Sequence, residues 1–342
     1  MALLQFKASA RNKVIAMIII IFGTALLVLS MAISIAFGAA NIDVGTVWQS
    51  IVSFDPARTE HQIIQRLRLP RALAAAFVGA ALAVSGAIMQ GMTRNPLASP
   101  SIMGVTAGST FMIAVALAFA SVSSSIGLMA AAFIGAGLGA GLVFGIGSLS
   151  KNGLTPVKLA LAGSAITALL SSISSAIAIH FDVAKDLSFW YAGGVAGLQW
   201  ENIITALPVF VIGLLIAVMI SGSITVMSLG DEVATGLGQR TGIVRALGFV
   251  TVLLLTGAAV SISGTIGFVG LVIPHITRFL VGSDYRLIIP CSAVLGGVLL
   301  VLADVGARLI NPPFETPVGA VTALIGVPFF LYLARREGRG ML

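Results

Sequence analysis

The chain has 342 residues, 58% of them hydrophobic and 9% charged, with a mean hydropathy of +1.09. Soluble domains carry about a quarter charged residues, so this chain cannot cover a globular surface with polar groups, and lipid is its main solvent. Its net charge of +7 does not mark a nucleic-acid binder, because the basic residues sit in short gaps between apolar runs, as charges flanking membrane spans do.

A span needs about 20 mostly apolar residues. On that basis the sequence predicts an all-α polytopic membrane protein in one transmembrane domain. Its ten helices fall at residues 14–38, 69–91, 99–120, 124–148, 155–180, 202–222, 244–264, 266–281, 287–308 and 316–334. The first run follows Lys7, Arg11 and Lys13 and resembles a signal peptide. It exceeds the usual signal core in length, and "AFGAAN" is a weak cleavage match, so it reads as a retained span. The second opens at "QRLRLPR", with Arg66, Arg68 and Arg71 at its mouth. The fourth, "GAGLGAGLVFGIG", is glycine-rich, which suits close helix packing. The eighth is short and broken by Gly270 and Pro274, and the sole cysteine, Cys291, lies in an apolar run as a small packed residue.

An even number of spans puts both termini on one side. The basic residues at each end, Lys7, Arg11 and Lys13 and then Arg335, Arg336 and Arg339, place them in the cytoplasm. Thirteen of the 19 Lys and Arg then fall inside, and all three tryptophans, Trp48, Trp190 and Trp200, fall at the outer interface. Arg66, Arg68, Arg71 and Arg308 break the charge bias by lying outside. Two explanations stand: contact with headgroups or a local pair with Glu60 or Asp304, or a docking site for an acidic surface of an external partner.

Gradient-driven carriers place ionisable residues at mid-membrane to bind the coupling ion, and the span centres here hold almost none. Asp304 sits four residues before Arg308 and can pair with it on the helix surface. His275 reads as a helix–helix hydrogen-bond partner more readily than as a proton relay. This favours a cytoplasmic partner as the source of energy. The longest inside gap, residues 223–242, contains "SLGDEVATGLG". Ser228 can cap a short helix, Asp231 and Glu232 favour its first turn, and Gly236 and Gly238 can end it. The segment is either a knob for another protein or a surface turn.

"RLPRALAAAFVGAALAVSGAIMQGMTRNPLASPSIMGVTAGS", "LGDEVATGLG", "GTIGFVGLVIPHITR", "ADVGAR" and "PVGAVTALIGVPFFLYL" closely resemble, in order, the permease subunits of ATP-binding-cassette importers for iron chelates (siderophores or haem) and vitamin B12. The resemblance implies the ten-helix type II permease fold and a cell-membrane location. It implies a second permease subunit, identical or paralogous, and two cytoplasmic ATPase subunits that hold the ATP and magnesium. It also implies an external substrate-binding protein or lipoprotein that delivers the iron chelate. By position, Arg68, Arg71 and Arg308 match arginines that receive glutamates of the binding protein. Leu229, Gly230, Asp231, Glu232, Ala234, Gly236 and Gly238 match the helix that couples to the ATPase.

The end of span two and the turn after it match the inner end of the translocation path. Ser85, Met89, Gln90, Met92, Asn95 and Pro96 are the candidate lining, although small and flexible residues suit helix packing equally well. Segment 181–201 is expected to hold a short half-helix at the outer gate. The chain has no G-x-x-x-x-G-K-[ST] sequence and so does not bind ATP by that motif. An intramembrane enzyme is the rival from another class. "SGAIMQ" forms no nucleophile elbow with His275, however, and no metal-ligand spacing appears. A secondary carrier is the third reading, opposed by the missing intramembrane charges.

Overall fold

A computed structural model describes residues 2–37, 42–120, 124–148, 156–312 and 314–339. The described residues form fourteen α-helices in chain order. They are α1 (Ala2–Ala36), α2 (Val44–Val52), α3 (Thr59–Ile63), α4 (Leu69–Thr93), α5 (Val105–Phe119), α6 (Ser125–Ser148), α7 (Pro156–His180), α8 (Ala184–Ala192), α9 (Trp200–Ser228), α10 (Asp231–Gly236), α11 (Thr241–Ser263), α12 (Val269–Val281), α13 (Tyr285–Ile310) and α14 (Val318–Arg339). Seven helical runs are long and apolar enough to cross a membrane, and α5, α12 and the first part of α14 are shorter apolar helices. A helix lies along each of the ten expected spans. The three remaining short helices, other than the α3 run that leads into α4, are α2, α8 and α10.

The centre of the bundle is α4, enclosed by α13, α11, α12 and α9. Its alanine- and glycine-rich sequence is what lets four helices approach it. Gly79 lies against the backbone of Gly296 in α13, and Gly86 against Gly270 in α12, where a Cβ would collide with a main-chain carbonyl. Gly270 therefore does not break the eighth span, and Pro274 also lies within α12. The break comes earlier, at Gly264–Phe268, where Gly264 and Phe268 both adopt positive φ. In the glycine-rich α6, Gly135 and Gly139 meet Gly108 and Gly104, while Gly137 and Gly141 face open space among the described residues.

Two spans are incomplete as helices. At 15 and 13 residues, α5 and α12 rise about 22 and 20 Å, short of a hydrocarbon core of about 30 Å. Irregular backbone completes each: residues 94–104, with a 3₁₀ turn at Pro100–Met103, and residues 264–268. Pro100 packs beside Gly270, so the first segment climbs back to the level of the second. Unpaired backbone at membrane depth is tolerated where protein or a wet cavity covers it. A cavity of about 240 Å³ lies between the two segments, lined by Ser99, Pro100, Ser101, Thr106, Thr256, Thr265 and Gly267 among others. The hydroxyl of Thr256 is buried against it and makes no hydrogen bond among the described residues.

Candidate functional site

Helix α4 carries one cluster of charge at each end. Its 25 residues separate them by about 37 Å.

At the N-terminal end, α3 passes into α4 through a π-helical turn, Ile64–Arg68. Arg66 and Leu67 stay exposed while Arg68 is buried. The Arg68 Nη1 donates to the carbonyls of Ile35 (2.7 Å) and Ala36 (2.8 Å). Arg308 reaches the same place from α13, with its Nη1 donating to the carbonyls of Ser34 (2.9 Å) and Phe37 (3.0 Å) and its Nη2 to Ser34 Oγ (2.6 Å). Four consecutive carbonyls at the end of α1, those of Ser34 to Phe37, thus accept from two guanidinium groups. The expected i, i+4 pair between Asp304 and Arg308 forms, with Nη2 to Oδ2 at 2.9 Å. It is a core contact rather than a surface one, because Asp304 is fully buried.

Arg71 completes the cluster. It donates from Nε to both Asp304 oxygens (3.0 and 3.1 Å) and from Nη2 to Oδ1 (2.8 Å). Its Nη1 reaches Glu315 Oε1 at 2.6 Å. The three arginines that the sequence nominates for docking therefore do converge. Arg68 and Arg308 face inward onto α1, however, and only Arg71 reaches an exposed carboxylate. The side chain of Arg66 makes no hydrogen bond or ion pair among the described residues. The sequence anticipated Asp304 but not Glu315, which lies 244 positions from Arg71 and stands in a loop with no motif. Trp200 Nε1 donates to Gln65 O (2.7 Å), and Gln65 Nε2 to Ser50 O in α2 (2.8 Å), so Trp48 and Trp200 sit at this same end.

At the C-terminal end, α4 stops at Arg94, which is left-handed (φ 53°). Facing it is the short helix α10. Ser228 does not cap it: that residue ends α9 and its Oγ donates to Thr225 O. The cap position falls to Gly230, whose φ of 124° suits glycine alone. The helix ends as the glycines predict. Gly238, at φ 79°, donates to Thr235 O and Gln239 to Ala234 O, each at 2.9 Å, a Schellman closure. Asp231 accepts from Arg245 Nη2 in α11 at 2.6 Å and lies 3.8 Å from Arg94 Nη2. Ala234 is buried, and Leu229, Val233 and Leu237 are exposed. Val233 and Leu237, four residues apart, form an apolar ridge flanked by exposed Glu232, and Leu229 precedes it across the non-helical Gly230. The ridge is a feature the sequence reasoning missed, having weighed the two acids instead.

The candidate lining residues divide. Ser85, Met89, Gln90 and Met92 are all buried inside this chain. The α4 helix has neighbours on every side. Gln90 Nε2 donates to Leu271 O (3.2 Å), and its Oε1 accepts from Arg278 Nη2 (3.0 Å), which also reaches Tyr285 Oη (3.1 Å). Met92 packs on Gly248. Asn95 is exposed and Pro96 partly so, with Asn95 Oδ1 closing a turn onto Leu97 N (2.9 Å). Between α7 and α9, α8 forms the expected half-helix. His275 stacks edge-on to Phe329 of α14 at 5.8 Å.

Comparison with known proteins bears on what this arrangement does. The profile of the FecCD transport family matches residues 26–336. The chain is 63% identical over 326 residues to the iron(3+)-hydroxamate import system permease protein FhuB of Bacillus subtilis (strain 168), covering 95% of this chain and 85% of that protein. It is 50% identical over 321 residues to the iron-uptake system permease protein FeuB of the same organism, covering 94% and 96%. Its fold resembles a solved metal-chelate type ABC transporter in an inward-facing conformation, with a TM-score of 0.82 at 33% identity, covering 93% of this chain and 99% of that one.

Proposed function

Because the chain belongs to the FecCD transport family and is a multi-pass permease subunit of an ATP-binding-cassette importer rather than an enzyme, we propose that it carries an iron(III)–hydroxamate chelate inward across the cell membrane. The 63% identity over 95% of the chain to a permease named for iron(3+)-hydroxamate is the observation that carries the substrate assignment.

The geometry supports a division of labour along α4. The arginine end faces outward and receives an external substrate-binding protein. The α10 end faces the cytoplasm together with both termini and meets one of two ATPase subunits that hold the ATP and magnesium. The exposed ridge of Val233 and Leu237, with exposed Leu229 before it, suits a hydrophobic cleft on that ATPase. Arg94 and Arg245 hold Asp231, so a push on α10 passes directly to α4 and α11.

A second permease subunit packs against α7. Of the seven long spans, α7 is the least apolar, and most of it is uncovered in this chain. Its exposed Ser164, Ser172 and Ser175 are small, and the last two bond back to their own helix. Such a face suits close approach of another helix better than contact with lipid tails. The translocation path then runs between the two permease subunits and is reached from the cavity between the irregular segments at the ends of α5 and α12.

Uptake of radiolabelled iron(III)–hydroxamate in a deletion strain carrying this chain tests the substrate. Uptake that is restored, and that is lost when the partner ATPase cannot hydrolyse ATP, supports the proposal. Restoration of iron–citrate uptake alone refutes it.

A further inference from the structure

Arg71 holds two carboxylates of different kinds. Asp304 is fully buried and bonds Nε and Nη2, and it also balances Arg308. Glu315 takes the remaining Nη1 and has 46% of its side chain exposed. Beside the pair opens a cavity of about 330 Å³ lined by Arg71, Glu315, Phe189, Val195 and Pro317 among others. An incoming carboxylate has room there and would meet the one edge of Arg71 that the core does not claim.

The loop that carries Glu315 is tied to other ends. Thr316 N donates to Ala307 O (3.2 Å) and Gly319 N to Gly193 O (3.4 Å). Gly194 N donates to Ser263 O (2.8 Å), and Thr265 Oγ1 to Tyr191 O (2.6 Å). The start of α14, the end of α8 and the broken stretch after α11 thus meet in one backbone-bonded knot, with Glu315 at its edge.

We propose that Glu315 is a built-in stand-in for the binding protein's carboxylate: it occupies Arg71 in the undocked permease and is displaced when an acidic side chain of that protein arrives. The proposal rests on the reading of Arg71 as a docking residue. Displacement frees the loop before α14 and so links arrival of the partner to the knot of helix ends. Glu315 also sets the affinity, because a partner must compete with it.

The test is a double-mutant cycle on docking of the same import system's substrate-binding protein to the assembled transporter in nanodiscs. An exposed pair contributes about 0.2–1 kcal/mol, so Glu315→Gln should tighten docking roughly 1.5- to 5-fold. Arg71→Gln should weaken docking, and in that background Glu315→Gln should have no further effect, because the two act as one unit. Glu60→Gln removes another exposed acid at the same end, one paired with Arg58, and should leave docking unchanged. If Arg71→Gln weakens docking while Glu315→Gln does not tighten it, or if its gain persists without Arg71 or is equalled by Glu60→Gln, the stand-in is overturned and the docking site survives. If Arg71→Gln leaves docking unchanged, the docking site falls and the stand-in with it.

Discussion

Replacing Asp304 with asparagine should be among the most damaging single changes at the arginine end. The substitution keeps the shape and deletes the charge. Asp304 accepts three hydrogen bonds from Arg71 and one from the Arg308 side chain, all between 2.8 and 3.1 Å, and none of its side chain is exposed. Without it, two guanidinium groups are left facing each other with one exposed acid, Glu315, to share. Breaking a buried pair by removing one partner costs about 3–5 kcal/mol, or roughly two to three and a half orders of magnitude in the folding equilibrium. Glu315→Gln touches the same arginine but ends a half-exposed pair, so its cost is about 0–1 kcal/mol. Titrating purified protein with SDS in mixed micelles reads both. A large loss for Asp304→Asn beside a small one for Glu315→Gln is expected. Equal stabilities of the two variants would refute the claim that burial, rather than pairing itself, gives this cluster its weight.

Three further outcomes follow from other contacts. Arg68→Ala removes the guanidinium that donates to the carbonyls of Ile35 and Ala36; bonds to charged groups contribute about 1.5–3 kcal/mol, so the same titration should show a loss of that order, and no loss would mean that α1 does not depend on this contact. Gly86→Val drives a side chain into the backbone of Gly270 and should cost about 1–3 kcal/mol or more, lowering the yield of folded protein in membranes, whereas Gly137→Ala, which meets open space, should not. Leu237→Asp on the exposed ridge should leave the permease folded yet separate ATP hydrolysis from iron–hydroxamate uptake; uptake at the original rate would exclude the ridge from the ATPase contact.

The sequence made the helices legible because membrane spans announce themselves by length and composition, and because glycine positions mark close packing. It was less informative where the chain leaves the helical pattern. The break near α12 looked like Gly270 and Pro274, the residues that usually interrupt helices. Yet Gly270 is needed for its missing side chain against Gly86, and the break falls on a stretch whose role is to line a cavity. The charged cluster shows the same limit. Arg68 and Arg71 were both matched to docking arginines, but the carbonyls at the end of α1 compete for Arg68 and no local pattern reports them. For the buried part of α4, small polar and flexible residues fit a pathway and a helix core alike, and their burial within this chain depends on neighbours that no local pattern reports. The C-terminal end of α10 was readable because Gly238 answers to a backbone angle, which is local, whereas its start was misread at Ser228 and falls instead to Gly230.

Sidedness is the central claim, and single-cysteine labelling tests it most directly. The native thiol, Cys291, is fully buried against α1, so it gives little background with a bulky reagent. Arg66→Cys and Leu237→Cys each place a thiol at an exposed position, one at each end of α4. A membrane-impermeant maleimide added to intact cells should label the Arg66→Cys variant and reach the Leu237→Cys variant only after the membrane is opened. Labelling of Leu237→Cys from outside, with Arg66→Cys protected, would contradict the account.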